Sequence, residues 1–226
     1  MPARAVQIVV AAAIALAAMA TTWSSTVGRS AIRTPRANEK VFECTKLGVG
    51  SRYTVVQSTK DTNGDSLTIR ELLRAGSPGF TPGRSGSPPP HIHKQETECF
   101  IVHSGSFSYE VDGVIGHLRP GDASACVPPG MTHQFWNSNN VTDLDMQFTV
   151  MPAGSFESFI RTMCGLATDA GSAADINPLQ MMVMFVGGGM EIAAMPRPVW
   201  LFIERVVVPL LRLLRIYHPT YPEYTV

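Results

Sequence analysis

The sequence is poor in charge and has no surplus of either sign. Charged side chains make up 16% of its 226 residues, and 18 basic residues are matched by 18 acidic ones. A balanced chain of this kind carries no electrostatic footprint for nucleic acid or for acidic partners, and no basic patch interleaved with aromatics supplies one locally. Cysteines are few: Cys44, Cys99, Cys126 and Cys164, at spacings that match neither C-x-x-C nor a zinc finger. No adjacent base can be named for any of them, which argues against a thiol nucleophile. Long apolar runs are missing too. The best, at 6–20, is broken by Gln7 and is short for a bilayer core of about 30 Å.

That run instead has the form of a targeting segment. Arg4 supplies the positive start, and Ala18-Met19-Ala20 places small residues where a signal peptidase cleaves. We expect residues 1–20 to be a signal peptide removed after Ala20, which makes the protein secreted or extracytoplasmic. The alternative is an uncleaved N-terminal anchor that holds it on a membrane. In an exported chain the four cysteines allow three disulfide pairings.

A hydrophobic content of 45% is enough for one good core. Residues 21–40 show no periodicity and read as a polar linker. From 41 onward short β-rich runs recur, at 41–44, 53–57, 67–73, 99–102, 107–111, 114–118, 123–127, 133–137 and 144–151. Asp112-Gly113 between two of them is a hairpin signal. Regular short strands with turn punctuation predict a mainly β sandwich or barrel over 41–152. Only 76–90, GSPGFTPGRSGSPPP, is too rich in Gly, Pro and Ser to pair in a sheet. It delivers the chain to the most informative stretch.

That stretch is HIHKQETECFIVHSG, residues 91–105. In a strand, residues i and i+2 share a face, so His91 and His93 project together. Glu98 opens the next apolar run, and His133 lies downstream in PPGMTHQFWN. Three imidazoles and one carboxylate form a ligand set for a divalent transition metal: Fe, Mn, Ni, Cu or Zn. Phe100 and Val102 share the face of Glu98, and Phe135 that of His133, so all three are candidates to line the cavity. Strand alternation turns Cys99 and His103 to the other face; His103, His117 and His218 are expected on the surface or in packing.

The arrangement resembles the cupin superfamily. His91, His93, Glu98 and Gly105 fit its first motif, although Gly86 stands one place closer to His91 than the usual leading glycine. Gly121, Pro128, Gly130, His133 and Asn137 fit the second, with one extra residue between Gly121 and Pro128 that a β-bulge could absorb. The resemblance covers roughly 65–151. It implies a jelly-roll β-barrel with His91, His93, Glu98 and His133 as metal ligands. Similar single-domain cupins include dioxygenases, so a metal-dependent oxidoreductase is expected, acting with O₂ on a small enolic or phenolic compound. Glu98 would be catalytic as well as a ligand. A non-catalytic module that binds metal and a small ligand, and an oxalate-degrading or isomerising enzyme, are the alternatives.

After Pro152 the character changes, and 153–226 is expected to be a helical extension. Ser155 can cap one helix, and Asn177-Pro178 starts a second that Gly187-Gly188-Gly189 ends. The last, expected over 199–217, gathers Glu204, Arg205, Arg212 and Arg215 into one narrow strip and is kinked at Pro209. Its wide apolar face needs cover: the barrel, the mate in a homodimer, or a membrane surface.

Overall fold

The computed structural model of the chain describes residues 34, 36 and 38–225. The expected signal segment at 1–20 and most of the linker lie outside them. The first strands, β1 (Val41–Glu43) and β2 (Ser51–Gln57), form a meander that ends on β3 (Leu67–Leu73). Eight strands then wind between two antiparallel sheets. β3, β10 (Leu144–Met151), β5 (Thr97–Ser104) and β8 (Ala125–Val127) lie side by side in one. β4 (His91–His93), β9 (Thr132–Asn137), β6 (Phe107–Val111) and β7 (Val114–Leu118) lie side by side in the other. This is the order of a jelly roll, with successive strands on alternate sheets except at the β6–β7 hairpin, as the sequence led us to expect. β1 and β2 widen the first sheet, and β11 (Met190–Ile192) widens the second beside β4.

Alternation fixes which side chains fill the barrel. Along β10, Leu144, Met146, Phe148 and Val150 are buried, while their neighbours Asp145, Gln147 and Thr149 are only partly covered. The hairpin between β6 and β7 turns on Asp112 and Gly113, both at positive φ, with Val111 opposite Val114. That is the two-residue turn whose twist suits antiparallel strands. Gly105 turns the chain from β5 into β6 at φ +89°, and a Cβ there would stand 2.6 Å from Asp143 O. Only glycine fits. The extra residue after Gly121 is not a bulge, because β8 pairs with β5 in unbroken register. It is taken up in the irregular stretch at 122–124 that leads into β8.

Three helical units come after the barrel. α1 (Phe156–Ala170) starts after Ser155, whose hydroxyl caps no helix amide and instead donates to Gly187 O at 2.9 Å. It runs to Gly171, which ends it in the left-handed conformation. α2 (Pro178–Gly187) is capped by Asn177, which accepts from the Leu179 amide at 2.8 Å. The third is broken: α3 (Arg197–Phe202), a π segment over Ile203–Val207, then α4 (Val208–Leu213). Pro209 explains the break. It offers no N–H and its ring collides with the carbonyl four residues back, which the wider π turn relieves. Arg215 at φ +54° closes the element earlier than expected.

Candidate metal centre

The two sheets face each other across the barrel, and each brings ligands to the gap. β4 and β9 of the second sheet are paired with His91 opposite His133, and His93 lies two residues along on the same face. β5 of the first sheet supplies Glu98. All four side chains are buried, and one donor atom from each lies within 4.8 Å of every other. The four residues expected from the sequence therefore meet at one point.

Hydrogen bonds fix how each ring is presented. His91 Nδ1 donates to Pro89 O at 2.9 Å and His133 Nδ1 to Met131 O at 3.1 Å. A carbonyl can only accept, so both Nδ1 atoms carry a proton, and in the neutral ring each Nε2 keeps a lone pair for the centre. His133 Nε2 then stands 3.0 Å from Glu98 Oε2, a spacing that a proton between them satisfies and for which a metal ion can compete. His93 Nε2 is 3.5 Å from the same oxygen, and both of its ring nitrogens are buried without a hydrogen bond. Buried polar atoms left so are costly unless something binds them. A divalent metal resolves these features together, and the donor set suits one.

The electrostatics arise from this crowding. Burial, with His133 and His93 alongside, pushes His91 well below the usual histidine range, toward the neutral form that ligates. Burial alone would raise the Glu98 carboxyl, but the hydrogen bond with His133 and the neighbouring His93 ring hold it well below the usual carboxylate range. Burial likewise opposes charge on His133, yet the Glu98 carboxylate wins and lifts it. Without metal a proton takes the place between the pair, and a metal ion competes with it.

The cluster opens on a cavity of about 80 Å³. His91 and Glu98 contribute to its wall, with Tyr53, Glu71, Phe135 and Phe148 from the strands and Pro88 and Pro89 from the loop before β4. The remainder is helical: Phe156, Phe159, Ile160 and Met163 of α1 and Phe185 of α2 close it, together with Met190 of β11. Phe135 is thus a wall residue. Phe100 and Val102 are buried on the face of Glu98 but do not line this cavity. β5 carries them away from the ligands, and Phe100 packs at 5.0 and 5.3 Å between ring centroids against Phe107 and Phe135 in the barrel core. His103, His117 and His218 are exposed, and His117 Nδ1 lies 2.8 Å from the Ser108 hydroxyl.

Two further carboxylates, Glu71 and Glu96, stand beside the site. Glu96 is buried in the bend between β4 and β5, with Oε2 3.9 Å from His93 Nδ1, where it can orient that ring from behind. Glu71 lies on β3 and faces the cavity. Strand alternation could have flagged Glu71, since it shares a face with Leu67, Ile69 and Leu73. No periodic signal marks Glu96.

Known proteins resemble the stretch that carries these four residues. Residues 80–151 match the profile of the Cupin_2 family, described as Cupin domain. The cupin domain is thus placed at residues 80–151. Curated relatives of the chain include the probable oxidoreductase patJ of Aspergillus clavatus, 35% identical over 68 residues, or 30% of this chain and 19% of patJ. The oxidoreductase iacF of Pestalotiopsis fici is 29% identical over 125 residues, 52% of this chain and 60% of iacF. The chain thus spans about a fifth of the length of patJ and three fifths of iacF. Among solved structures, an RmlC-like cupin from Shewanella frigidimarina is 22% identical, with 51% of this chain and 86% of that one covered at a TM-score of 0.39.

Proposed function

We propose that the protein is a metal-dependent oxidoreductase, a dioxygenase-like cupin that acts with O₂ on a small enolic or phenolic compound. The observation that carries this reading is the buried His91, His93, Glu98 and His133 cluster opening on a cavity walled mostly by aromatic and aliphatic side chains. The oxidoreductase names of the relatives support it. His91, His93, Glu98 and His133 would hold the ion. A divalent transition metal held there supplies Lewis acidity and open positions that bring an oxygenated compound and O₂ together.

The chain's own residues do the rest. Phe135, Phe148, Phe156 and Phe159 bury a flat ring and exclude water. Glu98 accepts the proton of the hydroxyl that approaches the cluster. A second carboxyl, Glu71, in the same apolar wall disfavours a dianion such as oxalate, which would meet it charge against charge. Export belongs to this reading as well. Two disulfides, Cys44–Cys164 and Cys99–Cys126, support an oxidising compartment, in keeping with the signal segment expected at 1–20.

The test is oxygen uptake by protein loaded in turn with each candidate metal, against a panel of enolic, phenolic and dicarboxylate compounds. Uptake with a phenol or enol, and both atoms of isotopically labelled O₂ in the product, is the expected result. Metal binding without turnover of any member would make the protein a non-catalytic binding module instead.

A further inference from the structure

Among the described residues, Glu71 is the one carboxyl in the cavity wall that the ligand set leaves unused. It is 1% exposed and stands on β3 opposite Tyr53 of β2. Its Oε1 accepts a hydrogen bond from the Ser51 hydroxyl. Its Oε2 is buried and has no hydrogen-bond partner. Tyr53 beside the carboxyl favours its charged form, and the Glu98 charge opposes it. Glu71 also lines an adjoining apolar cavity with Leu47, Val49, Phe80 and Met181, so it sits where the two spaces meet.

A carboxyl oxygen buried without a partner costs free energy that a ligand's hydroxyl can recover. Packing does not require Glu71: an apolar residue would fill the same wall without that cost. Burial raises the group to about 7, so that near neutral pH it exists both with and without its proton. A group poised so can take a proton from a phenol or enol and return it.

We propose that Glu71 is the substrate-binding carboxylate of this cavity, its Oε2 accepting the O–H of a second hydroxyl on a phenolic or enolic compound whose first oxygen reaches the His91, His93, Glu98 and His133 cluster. This rests on the function proposed above and narrows it to compounds with two oxygens, such as catechols and enediols. When the second hydroxyl ionises, its O–H bond breaks and the proton passes to Glu71 Oε2. The electron pair stays on the ligand oxygen. Reversal of that transfer returns the proton to the departing product. The Ser51 hydroxyl, donating to Oε1, holds the carboxyl in place.

The probe is 4-nitrocatechol, whose absorbance reports ionisation, titrated into metal-loaded wild type, Glu71→Gln and Glu71→Asp with metal content measured on each. The expected result is unchanged metal content in Glu71→Gln with nitrocatechol affinity lowered roughly 10- to 100-fold, the loss expected for a hydrogen bond to a charged group. Glu71→Asp should recover part of it. Wild-type affinity in a metal-replete Glu71→Gln protein would overturn the assignment and leave the proposed function standing. Wild type that holds metal but takes up no nitrocatechol would overturn both. Should the variants fail to fold, the infrared difference spectrum of wild type decides: nitrocatechol must alter the carbonyl band of a protonated, buried carboxyl, and a spectrum without that change rejects Glu71.

Discussion

A single residue's role at the metal centre depends on which atom it turns inward, and the sequence shows this only in part. His91, His93, Glu98 and His133 are legible because strand alternation and two spaced motifs point to the same four side chains. Glu71 and Glu96 are not, because their roles depend on contacts between segments far apart in the chain or within an irregular bend. Phe100 and Val102 are misplaced for a related reason: alternation gives the face of a strand but not the depth along the barrel. His93→Ala and His133→Ala should each remove most bound metal while the circular dichroism of the β-rich fold stays as it was, since the barrel core has its own apolar packing. His103→Ala should keep its metal, because that side chain is exposed. Elemental analysis of the three variants checks both expectations.

At the scale of elements, strands and hairpins are legible where turn chemistry is strong, as at Asp112-Gly113. β11 is not, because three residues after a glycine run carry no periodicity, and only pairing with β4 makes them a strand. The last helix is less regular than its apolar pattern predicts. Trp200, Val207, Val208 and Leu211 are buried, the last three with Val183 of α2, but Val199, Phe202, Val206 and Leu213 stay exposed among the described residues. Leu211→Asp should therefore lower stability by about 3 kcal/mol or more, as an unpaired charge enters an apolar contact. The exposed Arg212, changed to Ala, should shift it by no more than about 0.5 kcal/mol in a denaturant titration.

Glu157 ties α1 to the turn after β2. It accepts from Ser58 Oγ, Thr59 N and Thr59 Oγ1 at 2.7 to 2.8 Å and from Arg161 Nε at 2.9 Å. Burial works against its charge, but these bonds hold the carboxyl below its ordinary value. A lowered folded pKa contributes stability above the unfolded value of about 4.3 and loses it as pH falls through the folded one. Glu157→Gln should thus cost about 1.5–3 kcal/mol at pH 7, and the gap to wild type should close below about pH 4. Thermal melts across that range measure it.

The whole molecule is a barrel whose site is finished by its C-terminal extension, because α1, α2 and β11 wall the cavity that the strands open. The sequence shows a barrel and then helices but not this closure, since an apolar helix face does not say what it covers. The Cys44–Cys164 disulfide joins the two parts across 120 residues, whereas Cys99–Cys126 spans 27 between neighbouring strands. Chain entropy makes the longer loop worth about 1 kcal/mol more, so Cys44→Ala with Cys164→Ala should lower the melting temperature further than Cys99→Ala with Cys126→Ala. The central claim is the metal centre that β4, β5 and β9 build inside that closed cavity. Elemental analysis of the purified wild-type protein, after exposure to each candidate metal and removal of the excess, tests it most directly. One tightly held transition metal ion per chain is the result this account predicts, and a folded protein that retains none of them would contradict it.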